Sequence, residues 1–285
     1  MSREINLPSP FRVVAYDSID STNEEAKRLA LADAEDGAMV WARRQTAGKG
    51  RRGRKWQSEE GNLYCSLLLR PNCHAQRALQ LSFVAALAMA DSVASVLPKG
   101  TFVHCKWPND VLVEGRKVSG ILLESQAVAL GGMDWLVIGS GLNIAHFPDD
   151  VEYPATSLVA EGAIAVSPET MLESYSRHFL AIMVTWKNMG FEPVRRAWLR
   201  RAAGIGKEIT VRLERETLEG TFKTLDKDGA LILVLPDGLE KRITAGDVFV
   251  PMVSIFDHKE QQEHRKARRV RDLRENRGIW NVAGN

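Results

Sequence analysis

The segment MVWARRQTAGKGRRGRKWQSEEGNLYCSLLL, residues 39–69, decides how the chain folds. Its two ends, Met39–Arg43 and Leu63–Leu69, are mostly apolar runs of strand length. Residues 45–56 between them hold three glycines, five cations and no carboxylate. We therefore predict two strands of one sheet joined by a loop, residues 45–56, hereafter the basic loop.

The composition of the basic loop predicts an anionic ligand. Glycines let the backbone approach a ligand closely, and clustered guanidinium groups match the oxygens of phosphates and carboxylates. Such a loop alone suits RNA, DNA or a nucleotide. Gln45 and Trp56 at its ends favour a small ligand with an amide-like head group and a nucleobase that stacks on the indole.

The overall composition is that of an ordinary globular protein of 285 residues with a net charge of +2. Three cysteines without metal-ligand spacing indicate reduced thiols, and the N-terminus lacks a signal peptide. We find no segment long enough to span a bilayer. We therefore expect a cytoplasmic enzyme with no membrane partner and no tightly bound metal.

Apolar patterns and capping residues outside the basic loop predict an α+β fold, a mixed β-sheet packed with helices. Ser21–Glu24 predicts a capping box at the start of one helix, and Ser167-Pro168 predicts the start of another. Further predicted elements are strands at 11–16, 102–106, 111–113, 118–124 and 135–143, and helices from Ser21 to about residue 34 and over 79–97.

The pattern changes after Gly204. Short alternating strands broken by Asp228-Gly229 and Asp237-Gly238 predict a small C-terminal β-barrel of the SH3-like kind. From residue 257 the chain is polar and rich in Arg and Lys, which favours a disordered or partly helical tail. We predict domains at residues 1–204 and 205–253, followed by a basic polar tail at 254–285.

Three further segments carry polar groups suited to a ligand, although each also has a simpler explanation. Residues 20–23, DSTN, offer hydroxyl and amide groups at a helix N-terminus, where one of them also serves as a cap. Residues 106–124, KWPNDVLVEGRKVSGILLE, place Asn109, Asp110 and Lys117 at turns, where such residues are common without any function. Residues 139–143, GSGLN, form a ligand contact or a strand-end turn, and the chain has no Walker-type phosphate loop.

Taken together and in this order, these segments resemble the biotin protein ligases, also called biotin–[acetyl-CoA-carboxylase] ligases. The matching pieces are DSTN, QTAGKGRRGRKW with GNLYCS after it, KWPND followed by RKVSGILLE, and GSGLN. The resemblance covers roughly residues 11–252. It implies a catalytic domain of the class II aminoacyl-tRNA synthetase-like, biotin/lipoate ligase type, with an SH3-like β-barrel after it.

The resemblance also implies a reaction in two steps. Biotin attacks the α-phosphate of ATP, accompanied by Mg²⁺, to give biotinyl-5′-AMP and pyrophosphate. A lysine of a biotin carboxyl carrier protein or domain, in acetyl-CoA carboxylase or a related carboxylase, then attacks the activated acyl group and releases AMP. Only about ten residues precede the first predicted strand, so we expect a monofunctional ligase with no DNA-binding module. A homodimer is compatible with this family.

Residue roles follow from the same resemblance, position by position. Lys117 and Arg51 are the expected catalytic residues, since cations near a reacting phosphate stabilise its developing charge. The expected contacts of biotin and biotinyl-AMP are Ser21, Thr22, Asn23, Gln45, Lys49, Gly50, Arg51, Lys117 and Gly120. The expected nucleotide contacts are Arg52, Arg54, Trp56, Asn109, Asp110 and Asn143.

One position departs from the family pattern, and two other functions compete with this one. Lys49 stands where arginine is usual, which keeps the charge and loses the bidentate geometry. A lipoate–protein ligase would share the catalytic fold, but the basic loop, KWPND and the C-terminal strands favour biotin. An RNA-binding protein would use the basic loop and the basic residues 264–271, but the near-neutral total charge weighs against it.

Overall fold

A computed structural model describes residues 4–127, 132–149 and 151–251 of the chain. Seven strands form a mixed sheet in the order β1-β2-β3-β7-β6-β5-β4. Its strands are β1 (Arg12–Ile19), β2 (Ala38–Gln45), β3 (Leu63–Leu69), β4 (Val103–Lys106), β5 (Asp110–Val113), β6 (Arg116–Ala127) and β7 (Met133–Leu142). The strands β1 and β2 are parallel, and the other neighbours are antiparallel. The predicted pairing of the two strands that flank the basic loop is thereby confirmed.

The helices of the described chain are α1 (Thr22–Leu31), α2 (Ala75–Ala78), α3 (Leu81–Ala94), α4 (Pro168–Met189) and α5 (Phe191–Arg200). The first four pack against this sheet, and α5 packs against α3, α4 and the later strand Thr217–Leu225. Helix α3 is buried along almost its whole length, which explains its Ala-rich apolar composition. We expected no segment long enough to span a bilayer. Judged by length and hydropathy alone, one helical stretch contradicts that expectation. The stretch Ala75–Ala94 passes that test, but 72% of it is buried inside the fold.

Five further strands form a second, antiparallel sheet in the order β11-β10-β9-β8-β12. They are β8 (Glu208–Arg212), β9 (Thr217–Leu225), β10 (Leu231–Val234), β11 (Glu240–Ile243) and β12 (Asp247–Phe249). The predicted short strands and both turn glycines are confirmed, with Gly229 and Gly238 at φ of 91° and 85°. The SH3-like barrel remains a prediction, and the tail from residue 254 lies outside the described residues.

The small sheet packs against the end of the large one that carries the strands β4 and β5. The indole N–H of Trp107 donates to the Gly229 carbonyl at 3.1 Å, and the Lys106 ammonium donates to the Val248 carbonyl at 3.2 Å. Apolar residues of both sheets belong to one continuous core. The strand β12 is thereby held beside the last residue of β4.

Two local predictions about helix starts had different outcomes. At Ser167 the capping box is present, with Pro168 as the first helical residue. At Ser21 the backbone is extended as a cap requires, but the side chain makes no capping hydrogen bond. The backbone N–H of Ser21 donates to the Asp20 carboxylate at 2.7 Å, and not to Glu24 as a capping box requires. The capping box predicted for α1 was therefore wrong.

Candidate active site

A cavity of about 530 Å³ lies on the face of the strands β6 and β7, between the start of α1, the basic loop and β12. Its volume is in the usual range for small-molecule sites. Fourteen of the fifteen residues predicted from the sequence line it. They are Ser21, Thr22, Asn23, Gln45, Lys49, Gly50, Arg51, Arg54, Trp56, Asn109, Asp110, Lys117, Gly120 and Asn143. Arg52 is the exception and lies outside the lining, paired with Asp247 at 3.2 Å.

Three glycines form the floor of the cavity and permit close approach of two side chains. A Cβ atom added at Gly139 would lie 2.0 Å from Asn23 Oδ1, and one added at Gly141 would lie 2.5 Å from Trp56 Cε2. Gly120 pairs with Gly141 across β6 and β7 and would meet the same indole at 3.0 Å. The register therefore places Asn23 over one part of the floor and Trp56 over the next.

Uncharged polar groups form a connected network at the Asn23 end. The backbone N–H and the hydroxyl of Thr22 both donate to Gln45 Oε1, at 2.8 and 3.1 Å. The Ser66 hydroxyl lies 2.8 Å from Thr22 Oγ1 and 2.6 Å from Asn23 Oδ1. The Asn23 amide donates to Glu124 Oε2 at 2.8 Å, which fixes the direction in which its carbonyl oxygen points. Glu124 is itself paired with Lys27 at 2.8 Å, so the groups of this network that line the cavity are uncharged donors and acceptors.

The basic loop folds on itself through backbone hydrogen bonds. The N–H of Gly50 donates to the Arg54 carbonyl at 2.7 Å, and the N–H of Trp56 donates to the Gly48 carbonyl at 3.0 Å. Between them Arg52 takes a left-handed conformation at φ of 55°. This hairpin-like path presents Arg51 to the cavity and turns Arg52 outward.

The arginines of the basic loop reach the C-terminal sheet. Arg51 Nη1 donates to Asn109 Oδ1 at 3.2 Å and to the Gly246 carbonyl at 3.3 Å. Arg52 and Arg54 both bind the carboxylate of Asp247, the first residue of β12. Burial lowers the pKa of the Arg51 guanidinium, although an arginine remains charged in proteins. The Asp247 carboxylate of the second sheet thus holds the basic loop in place.

Two lysines share one buried carboxylate at the cationic end of the cavity. Lys117 lies 2.6 Å from Asp110 Oδ1, and Lys106 lies 3.0 Å from Asp110 Oδ2. Burial would raise the pKa of Asp110, but the charges of Lys117 and Lys106 outweigh it and hold that pKa well below its usual range. The Lys117 ammonium also lies 5.5 Å from the centre of the Trp56 ring. Lys117 is therefore placed between the indole and the carboxylate.

Two other predicted residues are engaged in contacts within the protein. Lys49 forms an ion pair with Glu24 on α1. The Asn143 side-chain amide donates to the Thr156 carbonyl at 3.0 Å. Asn143 therefore fixes the segment that follows β7, and its predicted contact with a nucleotide remains a prediction.

Several residues of the site were not predicted individually, among them Ser66, Lys106, Tyr153 and Asp247. Ser66 and Lys106 lie within the motifs GNLYCS and KWPND, so the motif itself was the available signal. Tyr153 lines the cavity with its ring 3.9 Å from the Lys106 ammonium and with no hydrogen-bond partner for its buried hydroxyl. Asp247 follows no motif, and only the packing of the two sheets brings it to the loop.

The arrangement suits an elongated ligand that is neutral at one end and anionic at the other. Along the β6–β7 face the order is an uncharged network, an indole, and then the cations of Lys117 and Arg51. Within the described residues, no group of three or more His, Cys, Asp or Glu side chains lies together as a metal-binding cluster.

Two family models match the chain. The Biotin/lipoate A/B protein ligase family matches residues 15–143, and the Biotin protein ligase C terminal domain matches residues 204–250. The biotin–[acetyl-CoA-carboxylase] ligase of Paracoccus denitrificans is 43% identical over 235 residues, which cover 81% of this chain and 97% of the relative. The bifunctional ligase/repressor BirA of Bacillus subtilis is 33% identical over 238 residues, which cover 82% of this chain and 72% of the relative.

Solved structures show the same relationship. The biotin protein ligase of Aquifex aeolicus in complex with biotin and ATP superposes with a TM-score of 0.69 at 27% identity, covering 83% of this chain and 97% of that one. The enzyme of Leishmania major in complex with biotinyl-5-AMP gives a TM-score of 0.57 at 25% identity, covering 84% and 100%. The cavity, the two matched domains and a relative of such identity lead to one conclusion: the chain belongs to the biotin protein ligases.

Proposed function

We propose that this enzyme activates biotin with MgATP as biotinyl-5′-AMP and transfers it to a specific lysine of a biotin carboxyl carrier domain in the cytoplasm. The proposal covers ligation and includes no transcriptional repression. One observation carries it: a single cavity leads from an uncharged hydrogen-bonding network past an indole to a pair of cations. The network corresponds to the ureido ring, the indole to the nucleobase that stacks on it, and the cations to the carboxylate and phosphates of the reacting groups.

Biotin fits the neutral end by its chemistry. Its ureido group carries donors and an acceptor but no charge, and the groups of Thr22, Asn23 and Gln45 offer complementary partners. Glycine at position 139 lets the Asn23 side chain lie directly on the floor, because a Cβ atom there would lie 2.0 Å from Asn23 Oδ1. A lipoyl group has no ureido head and would leave the remaining hydrogen-bonding capacity of these groups unused, so it should bind less well.

The cationic end fits the first chemical step. The carboxylate oxygen of biotin attacks the α-phosphorus of ATP, and the bond to pyrophosphate breaks. Two anions must approach each other, so cations at this point lower the barrier. Lys117 and Arg51 meet that requirement when they turn from Asp110, Asn109 and the Gly246 carbonyl toward the substrates.

The second step requires access by a lysine and exclusion of water. The carrier amine attacks the acyl carbon, the bond to AMP breaks, and the amine loses a proton. Biotinyl-AMP is a mixed anhydride that water would also hydrolyse, so the basic loop over the cavity has a protective role. The relative crystallised with biotinyl-5-AMP supports this intermediate.

The first step is tested by exchange of pyrophosphate into ATP in the presence of Mg²⁺ and either biotin or lipoate. We expect exchange with biotin only, and its loss in Lys117→Met by about a hundredfold or more, since one such contact contributes 10²–10³ in rate. Lys223→Met removes an exposed lysine paired with Glu240 on the small sheet and should leave exchange unchanged. Exchange with lipoate, or with neither acid, would contradict the proposal.

A further inference from the structure

The environments of the two lysines that share Asp110 differ sharply. Lys106 is buried, with a side chain 8% exposed, whereas the Lys117 side chain is 26% exposed and faces the cavity. The Asp110 side chain is 10% exposed. One carboxylate therefore has an internal cation on one side and a cavity-facing cation on the other.

Lys106 is fixed from several directions. Its ammonium lies 3.0 Å from Asp110 Oδ2, donates to the Val248 carbonyl at 3.2 Å, and lies 3.9 Å from the centre of the Tyr153 ring. These partners come from β5, from β12 and from the segment after β7. Burial lowers the pKa of Lys106, and the charge of Asp110 opposes that shift. Lys106 lines the cavity, but its ammonium is directed to these partners within the protein.

Lys117 has a fixed backbone and a releasable side chain. Its N–H donates to the Pro154 carbonyl at 2.7 Å, and its own carbonyl accepts from Thr156 N–H at 2.9 Å. Its ammonium is held by Asp110 at 2.6 Å and otherwise faces the indole of Trp56. Binding an anionic ligand requires the ammonium to leave Asp110.

The charge balance around Asp110 decides whether the Lys117 ammonium can leave the carboxylate. Lys106 and Asp110 together are neutral, so the three groups carry a net charge of +1 that is available to an anion. Without Lys106, departure of Lys117 would leave a buried carboxylate with no counter-ion, which is strongly unfavourable. With Lys106 in place, that penalty is much smaller.

We propose that Lys106 is a positioning residue that neutralises Asp110, so that Lys117 is free to leave the carboxylate and bind the reacting anions. This inference rests on the proposed role of Lys117 in adenylation. It implies that the charge of Lys106 matters only while position 110 carries a negative charge.

A double-mutant cycle in the full-length enzyme tests this. Biotin-dependent pyrophosphate exchange is measured at saturating biotin and MgATP for Lys106→Met, Asp110→Asn and the double variant, with Lys223→Met as the control. We expect Lys106→Met to lower kcat at least tenfold. The double variant should be several-fold faster than Lys106→Met and no slower than Asp110→Asn.

Each outcome of the double-mutant cycle has a different interpretation. If the double variant is no faster than Lys106→Met, or slower than Asp110→Asn, Lys106 acts in another way and the inference is wrong. Should Lys106→Met fail to fold, judged by circular dichroism, the comparison of the double variant with Asp110→Asn still decides. Absence of exchange in the wild-type enzyme would instead reject the proposed function.

Discussion

At the scale of single residues, the glycines of the cavity floor determine where the Trp56 indole lies. A Cβ atom at Gly141 would lie 2.5 Å from Trp56 Cε2, and one at Gly120 would lie 3.0 Å from Cζ3. Alanine at position 141 must therefore displace the ring, whereas alanine at 120 needs only a small shift. Both glycines have ordinary backbone angles, so steric contact is the main effect of either substitution.

If the Trp56 indole stacks on the nucleotide, both substitutions should weaken ATP binding, and Gly141→Ala should weaken it more than Gly120→Ala. We expect Gly141→Ala to raise the Michaelis constant for ATP about tenfold, equivalent to about 1.4 kcal/mol, and Gly120→Ala to raise it less. Steady-state exchange at varied ATP measures both. Equal constants in the two variants would show that the indole position does not govern nucleotide binding.

The three thiols should differ in reactivity with pH. Burial raises the pKa of Cys65 and of Cys105 to about 12, and it also raises the pKa of the half-buried Cys73. The thiolate is the reactive form, so a disulfide reagent at pH 8 should label Cys73 in the folded enzyme and all three thiols in denaturant. Rapid labelling of Cys65 in the folded enzyme would contradict this.

The same shifts predict a pH dependence of stability. In the unfolded chain the thiols ionise above about pH 8.5, while buried Cys65 and Cys105 stay neutral in the folded enzyme. The free energy of unfolding should therefore fall as the pH rises above that value.

Motifs identified most of the cavity lining because each motif brings its residues to a strand end or a helix start. Thr22 and Asn23 follow from one such motif, and Asn109 and Asp110 from another. Asp247 could not be found this way. It meets a loop almost two hundred positions away in the chain, and its place depends on how two sheets pack. Local patterns do not encode that.

At the scale of elements, capping chemistry predicted one helix start correctly and misjudged the other. At Ser167 the capping box forms. At the start of α1, the Asp20 carboxylate accepts the hydrogen bond from the Ser21 backbone N–H that the box would use. The helix α5 was missed because Gly190 and Pro193 are signals for a break. The proline lies in the first turn of α5, where it is tolerated.

The two serines therefore predict different stability effects. Ser167→Ala removes a side chain that accepts from Thr170 N–H and should lower the free energy of unfolding by about 1 kcal/mol. Ser21→Ala removes no capping hydrogen bond and should lower it less. Urea unfolding followed by circular dichroism compares them. A larger loss in Ser21→Ala would mean that its hydroxyl has a structural role the capping geometry does not reveal.

The basic loop is an element held from outside by β12. Asp247→Asn removes the carboxylate that Arg52 and Arg54 share, so the loop should open more often. We expect several-fold faster trypsin cleavage within residues 51–55 and partial protection by biotin with ATP. The matched variant Asp228→Asn removes a carboxylate of the same small sheet, paired with Arg242, and should leave cleavage unchanged. Equal cleavage in both variants would show that Asp247 does not hold the loop.

At the scale of the whole molecule, the two sheets share one core and one site. Arg51 reaches the Gly246 carbonyl and Lys106 reaches the Val248 carbonyl, so residues of the catalytic domain depend on the position of β12. The pattern of short strands and turns predicted a separate C-terminal domain, but this dependence arises from contacts between the two sheets. We therefore expect a single cooperative unfolding transition by fluorescence and by circular dichroism, as for one continuous core.

Two glycines of the small sheet offer a matched test of domain packing. Gly229 and Gly238 both follow an aspartate in a turn and both have positive φ, so alanine strains either backbone by about 1–2 kcal/mol. A Cβ atom at Gly238 would meet nothing within 4 Å, whereas one at Gly229 would lie 2.5 Å from Phe83 Cε2 of the catalytic domain. Gly229→Ala should therefore destabilise the enzyme more than Gly238→Ala.

The same pair separates stability from function. Displacing the Gly229 turn moves the small sheet. The Gly246 and Val248 carbonyl groups, which accept from Arg51 and Lys106, would move with it. We expect Gly229→Ala to lower biotin-dependent exchange severalfold at a temperature where both variants are folded, and Gly238→Ala to retain wild-type exchange. Equal activities with unequal stabilities would mean that the small sheet supports the fold but does not position the cations of the site.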